Sequence, residues 1–159
     1  MSTALEAVGL LTAAGATVST AESLTGGLVC AELVSVPGAS DVVSGGIVAY
    51  TAGAKIDLLG VPADLISAYG TVDALVASSM ANAARRRFGS TYGLATTGVA
   101  GPDPSEGKPV GTVHVAISGP AGTTSYELSL AGDRQSIRNA TVTELLSRFV
   151  DRVREESRS

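Results

Sequence analysis

The octet Thr20-Ala21-Glu22-Ser23-Leu24-Thr25-Gly26-Gly27 puts a serine hydroxyl, a carboxylate and two glycines at one point of the chain. Upstream, residues 16–20 read as a strand; downstream, Leu28, Val29, Ala31, Leu33 and Val34 recur at helical spacing and predict a helix over 25–35. Ser23 then lies close to a helix N-terminus, where unpaired N–H groups and the helix dipole favour an anion or a developing oxyanion, and glycine admits a ligand to the backbone. Two uses fit such a serine: it is a nucleophile, or Ser23 or Thr25 simply caps the helix.

A serine nucleophile needs a base, and scarcity narrows the choice. The 159 residues include nine arginines but only two lysines, Lys55 and Lys108. A desolvated ammonium can give up its proton and act as a base, which a guanidinium cannot. The sole histidine, His114, alternates with Val113, Val115 and Ile117 and reads as an ordinary half-exposed strand residue. One histidine and one cysteine, Cys30, rule out a histidine-rich or multi-cysteine metal site and an internal disulfide. No Gly-x-Gly-x-x-Gly fingerprint or phosphate loop ending in Gly-Lys-Ser/Thr is present, so no metal and no cofactor is expected.

The elements that must carry these residues follow from periodicity and punctuation. Helix 3–14 is closed by Gly15, strand 45–50 leads to short helices around 54–59 and 62–68, and helix 73–88 starts at Asp73 with Leu75, Val76, Met80, Ala83 and Phe88 on its inner face. Strand 91–97 precedes the loop 98–109. Strands 110–118 and 123–130 reverse through Gly119-Pro120-Ala121-Gly122, and helix 134–155 is capped by Asp133 with Ile137, Leu145, Phe149 and Val153 as its stripe. The order predicts one α/β domain over 1–159: a three-layer α/β/α architecture on a mixed five-stranded sheet whose last two strands form an antiparallel pair. If the first three strands are parallel, Glu22-Ser23, Tyr50 and Thr96-Thr97-Gly98 reach the same sheet edge, where open α/β sheets bind ligands. That convergence favours the nucleophile over the cap.

The net charge of −4 argues against a nucleic-acid surface. Arg85-Arg86-Arg87 ends a helix, where cations complement the dipole. There is no signal-peptide pattern and no apolar run near the roughly 20 residues that span a bilayer, so a cytoplasmic protein without membrane attachment is expected. The uncovered edge strand 123–130 leaves room for a homodimer.

The octet, Gly45-Gly46-Ile47-Val48-Ala49-Tyr50 with Lys55, Leu59-Gly60-Val61, Thr97-Gly98-Val99-Ala100-Gly101-Pro102 and Lys108-Pro109-Val110-Gly111-Thr112 together resemble the CinA C-terminal domain family, in order and over nearly the whole chain. The chain looks like the stand-alone form, without the additional N-terminal domain of longer members. At 70–73 it has Gly-Thr-Val-Asp where the family usually has Gly-Ala-Val-Ser, and Asp73 is an equally competent cap.

That family includes nicotinamide mononucleotide deamidases, so the resemblance implies hydrolysis of the nucleotide's carboxamide to nicotinate mononucleotide and ammonia, a pyridine nucleotide recycling reaction. Ser23 is the implied nucleophile. Lys55 is the implied base, with Tyr50 as its assistant, a relay or the proton acceptor itself. N–H groups around Thr25 and Gly26 are the expected oxyanion donors, and Glu22 and Gly27 complete the binding turn. Thr97, Gly98 and Lys108 are candidates for the nucleotide portion, the alternative being a rigid surface loop. Arg134 or Arg138, at the positive end of the last helix, would meet the phosphate or stand solvated. A nucleotide-binding or regulatory domain that keeps the pocket without turnover is the competing reading; the Lys55 base separates the two.

Overall fold

A computed structural model describes residues 2–159. Helix α1 (Thr3–Ala14) is capped by the Ser2 side chain on Leu5 N–H and closed by Gly15 at φ 64°. The N–H of Ala16 returns to Leu11 O, so this residue completes α1 and β1 starts only at Val18. Strand β1 (Val18–Glu22) runs two residues past the expected end because Ala21 and Glu22 pair with Ile47 and Val48 on one side and Ala95 and Thr96 on the other. After it, Gly26 (φ 57°) and Gly27 (φ 105°) hold a left-handed turn that no helix can include, so α2 is Leu28–Val34 rather than 25–35.

The remaining elements are β2 (Val43–Val48), α3 (Ala52–Leu59), α4 (Ala63–Tyr69), α5 (Ala74–Phe88), β3 (Tyr92–Gly98), β4 (Thr112–Gly119), β5 (Gly122–Ser129) and α6 (Arg134–Ser157), with a one-turn 3-10 helix at Ala39–Asp41. Asp73 and Asp133 cap α5 and α6 as the sequence indicates, accepting from Leu75 and Ser136 N–H. The five strands lie in the order β2-β1-β3-β4-β5; β1 is parallel to both neighbours, and β3-β4 and β4-β5 are antiparallel. The expected mixed five-stranded α/β architecture is therefore present, with helices on both faces.

The two faces are built from different residues. Leu94, Val113, Val115 and Ile117 meet Leu11, Leu33, Leu145 and Phe149 from α1, α2 and α6. Full burial of side chains such as Phe149 and Leu145 contributes about 2 kcal/mol each. The other face uses Ala21, Ala95 and Ala116 under Ala77, Met80 and Ala84 of α5. Small side chains let α5 approach closely, and a Cβ at Gly93 would stand 2.2 Å from Ala81 O.

This close cover overturns two expectations. His114 is 7% exposed rather than half-exposed, because α5 shields the alanine-rich face of β4 that carries it. Leu75, expected on the inner face of α5, is 52% exposed; the buried residues of that helix begin at Val76 and Ala77.

Candidate active site

The C-terminal ends of β1, β2 and β3 share one edge, and the reactive groups gather there. Lys55, in the first half of α3, is 1% exposed, and its Nζ donates to Ser23 Oγ at 2.8 Å, to Ala49 O at 2.9 Å and to Tyr50 O at 3.2 Å. The α3 N-cap, Thr51 on Ala54 N–H, fixes the helix directly after these carbonyls. Desolvation pushes the Lys55 ammonium down to about 8, opposed by the negative charge of Glu106. When the lysine is neutral, its two hydrogens are taken by the Ala49 and Tyr50 carbonyls, and the lone pair is left for the Ser23 hydroxyl. Such an arrangement can activate a serine hydroxyl through a neutral lysine.

Ser23 is held by its backbone. Its N–H donates to Thr96 O at 3.0 Å and meets Thr96 Oγ1 at 3.3 Å, and its carbonyl accepts Gly26 N–H. A hydroxyl relay runs on from there: Thr96 and Thr25 are 2.8 Å apart at Oγ1, and Thr25 donates to Glu22 Oε1 at 2.6 Å. Glu22 is 1% exposed and faces away from Ser23. Its carboxylate also accepts from Gly27, Val29 and Cys30 N–H at 3.2, 2.9 and 3.0 Å. The anion at the N-terminus of α2 is thus the protein's own. Gly26 and Gly27 N–H are likewise committed, which leaves the Leu24 and Thr25 N–H groups outside these bonds.

Tyr50 touches the lysine through its carbonyl, not its hydroxyl. The residue is 57% exposed, and its hydroxyl accepts from Arg134 Nη2 at 2.8 Å. Arg134 also donates to Gly101 O and so bridges the segment after β2 to the loop after β3. Arg138, one turn later on α6, donates to Leu24 O at 2.8 Å and Thr25 O at 3.3 Å, bracing the Ser23 turn. Thr97 and Lys108 are joined to a different place, the link between α4 and α5: Thr97 Oγ1 donates to Thr71 O at 2.7 Å, and Lys108 Nζ donates to the carbonyls of Val72 and Tyr69. Gly98 ends β3 beside Val113.

Sequence reasoning brings Thr96 to this edge without its bond to Thr25, and it misses Thr71 and Glu106. The bonds of the two threonines carry no signal, because they join residues that are 71 and 26 apart in sequence. Glu106 has a faint one: Ser105-Glu106-Gly107-Lys108 reads as a two-residue turn, which the paired Ser105 and Lys108 backbones confirm. Among the described residues there is no group of three or more His, Cys, Asp and Glu side chains able to hold a metal ion, and no helix is long and apolar enough to cross a membrane. A cavity of about 710 Å³ lies at the opposite end of the sheet around Leu10, Ala13, Tyr92 and Pro120, remote from Ser23.

Comparison with known proteins agrees with this architecture. The chain is 50% identical over 139 residues to a CinA-like protein of Frankia casuarinae, covering 87% of this chain and 32% of that one. To a CinA-like protein of an Anaeromyxobacter species it is 48% identical over 141 residues, covering 88% and 34%. It therefore spans about a third of the length of the curated relatives it matches. The crystal structure of the competence/damage inducible protein CihA from Agrobacterium tumefaciens superposes with a TM-score of 0.90 at 38% identity, covering 94% of this chain and 92% of that one. A competence-damaged protein (CinA) superfamily structure from Escherichia coli gives a TM-score of 0.89 at 29% identity, covering 91% and 85%. The model of the CinA C-terminal domain matches residues 1–153, and the chain belongs to that family.

Proposed function

We propose that the protein is an amidohydrolase that converts nicotinamide mononucleotide to nicotinate mononucleotide and ammonia. The observation that carries this reading is the buried Lys55 Nζ, 2.8 Å from Ser23 Oγ. Neutral Lys55 takes the Ser23 proton as Oγ attacks the carboxamide carbon, and the resulting ammonium returns a proton to the leaving nitrogen. The C–N bond breaks as the tetrahedral intermediate collapses, ammonia leaves the acyl-enzyme, and water deprotonated by the same lysine adds to the ester, whose Oγ–acyl bond breaks to release the carboxylate as the lysine's proton passes to Ser23 Oγ. The N–H groups of Leu24 and Thr25 are the oxyanion donors, since Gly26 N–H is given to Ser23 O at 3.0 Å. Arg134 at the rim is the residue that meets the phosphate, its guanidinium shared with the exposed Tyr50 hydroxyl.

Purified protein incubated with nicotinamide mononucleotide is expected to release ammonia and nicotinate mononucleotide in equal amounts. Nicotinamide riboside and nicotinamide serve as poorer substrates. Tight nucleotide binding without ammonia release would reject the amidohydrolase and leave a binding domain.

A further inference from the structure

Thr25 and Thr96 are fully buried, and their hydroxyls form a chain that can run in only one direction. The Glu22 carboxylate can only accept, so Thr25 gives its hydroxyl proton to Glu22 Oε1 at 2.6 Å. The Thr25 oxygen then has only lone pairs left for Thr96 Oγ1 at 2.8 Å, and Thr96 must donate to it. A lone pair of Thr96 Oγ1 is left for Ser23 N–H at 3.3 Å, which also donates to Thr96 O at 3.0 Å. A buried carboxylate is thus joined through two side chains to the backbone of Ser23. Thr25 is not a helix cap: the N–H groups of Val29 and Cys30 in the first turn of α2 go to Glu22.

The turn is gripped from another side as well. The peptide between Leu24 and Thr25 is trans, and its carbonyl accepts from Arg138 Nε of α6 at 2.8 Å. In a planar trans peptide the N–H points opposite to the C=O, so Thr25 N–H points away from α6. That helix packs on one face of the sheet, through Ile137 and Leu145, while Leu59 of α3, the helix of Lys55, packs on the other. The neighbouring N–H groups are taken: Ser23 donates to Thr96, Gly26 to Ser23 O and Gly27 to Glu22. Thr25 N–H is not among these bonds.

Resting on the Ser23–Lys55 reading above, we propose that Thr25 and Thr96 are positioning residues for the oxyanion. Their hydroxyls, anchored on Glu22, hold the Leu24–Thr25 peptide so that Thr25 N–H meets the charge that develops when Ser23 Oγ attacks. A donor aimed before the reaction needs no reorganisation when the charge appears. Gly26 and Gly27, both left-handed, follow directly and give the turn no stiffness of their own, so the aim has to come from side chains.

Acylation by 4-nitrophenyl acetate tests this without the nucleotide. Ser23 Oγ adds to the ester carbonyl, the Oγ–acyl bond forms as the bond to nitrophenolate breaks, and the serine proton passes to Lys55. Nitrophenolate release reads the rate, with Ser23→Ala as the blank. Thr25→Val is expected to slow acylation about tenfold or more, and Thr96→Val several-fold, at every pH. The midpoint of the pH profile stays in place, because Lys55 keeps its partners. With nicotinamide mononucleotide the loss falls on kcat and leaves KM within about twofold. Thr25→Ser and Thr96→Ser restore the hydroxyls and recover most of the rate. Valine suits the buried strand position of Thr96, and the backbone carbonyl there still holds Ser23 N–H, so Thr96→Val decides if Thr25→Val does not fold. A wild-type acylation rate in folded Thr96→Val, or a loss accounted for by a shifted midpoint, overturns the proposal, as does a wild-type protein whose Ser23 is not acylated. If wild type is acylated but releases no ammonia from nicotinamide mononucleotide, the amidohydrolase reading fails separately, and the acylation rates alone decide the role of the two threonines.

Discussion

Glu22 Oε1 accepts the N–H of Val29 at 2.9 Å, so the residue next to Ser23 completes the helix behind it instead of facing the Ser23–Lys55 pair. Five hydrogen bonds converge on this carboxylate from Thr20, Thr25, Gly27, Val29 and Cys30. Three of the donors are backbone N–H groups at a helix N-terminus, where a negative charge is stabilised by the dipole. Glutamine is not a conservative replacement, since one end of its amide would turn a donor toward donors. Glu22→Gln and Glu22→Ala are each expected to cost about 2 to 4 kcal/mol, measured by urea unfolding, because buried N–H groups are left without an acceptor. A loss under about 0.5 kcal/mol would show the carboxylate to be dispensable.

Ser23 tests the nucleophile more directly. Its backbone is fixed by Thr96 O and Gly26 N–H, not by its hydroxyl, so Ser23→Ala is expected to leave the melting temperature nearly unchanged. Turnover is expected to fall by about 10³ or more while nucleotide affinity, measured by calorimetry, stays within a few-fold. Substantial ammonia release by the alanine variant would reject covalent catalysis by this serine.

The parts of this site legible in the sequence are those with a local signature. Gly15, Asp73 and Asp133 mark helix ends, and the alternation in 110–118 marks a strand. The meeting of Ser23 with Lys55 follows from the parallel order of the first strands, which delivers both to one edge. Illegible are the destinations of individual polar atoms. Glu22 beside Ser23 reads as part of the site until its oxygens are found on Val29 and Cys30. His114 reads as solvated because alternation distinguishes two faces but does not say that α5 covers the second. Lys108 reads as a candidate for the nucleotide portion at a loop end, and only the folded chain puts it on Val72 O.

The contrast between Arg134 and Arg138 predicts separable kinetic effects. Arg138 donates to Leu24 and Thr25 carbonyls, so Arg138→Ala disturbs the turn that follows Ser23 and is expected to lower kcat/KM about equally for nicotinamide mononucleotide and its riboside. Arg134 is exposed and shared with Tyr50, so Arg134→Ala is expected to weaken the phosphorylated substrate about tenfold or more and to spare the riboside. Tyr50→Phe removes a hydroxyl bound to Arg134, not to Lys55, and is expected to cost less than any loss of Lys55. Equal losses for both substrates in Arg134→Ala would remove it from the phosphate site.

Lys55 is expected to couple activity to stability through one proton. Its folded pKa is lowered to about 8, against about 10.4 for a free lysine, so between those values the unfolded chain binds more protons than the folded one. Stability contributed by this group therefore rises with pH from about 8 to about 10.4; below about 8 the lysine is charged in both states and the folded protein carries the full cost of burying it. Urea unfolding of wild type and Lys55→Met at several pH values is expected to show wild type gaining on the variant across that interval. Activity is expected to rise through about pH 8, where the lone pair facing Ser23 Oγ becomes available. Lys55→Arg keeps the charge but supplies no base, and is expected to be nearly as inactive as Lys55→Ala. A Lys55→Arg variant with close to full activity across this range would show that the charge suffices, and the exposed Tyr50 hydroxyl would then be the group to test as the proton acceptor.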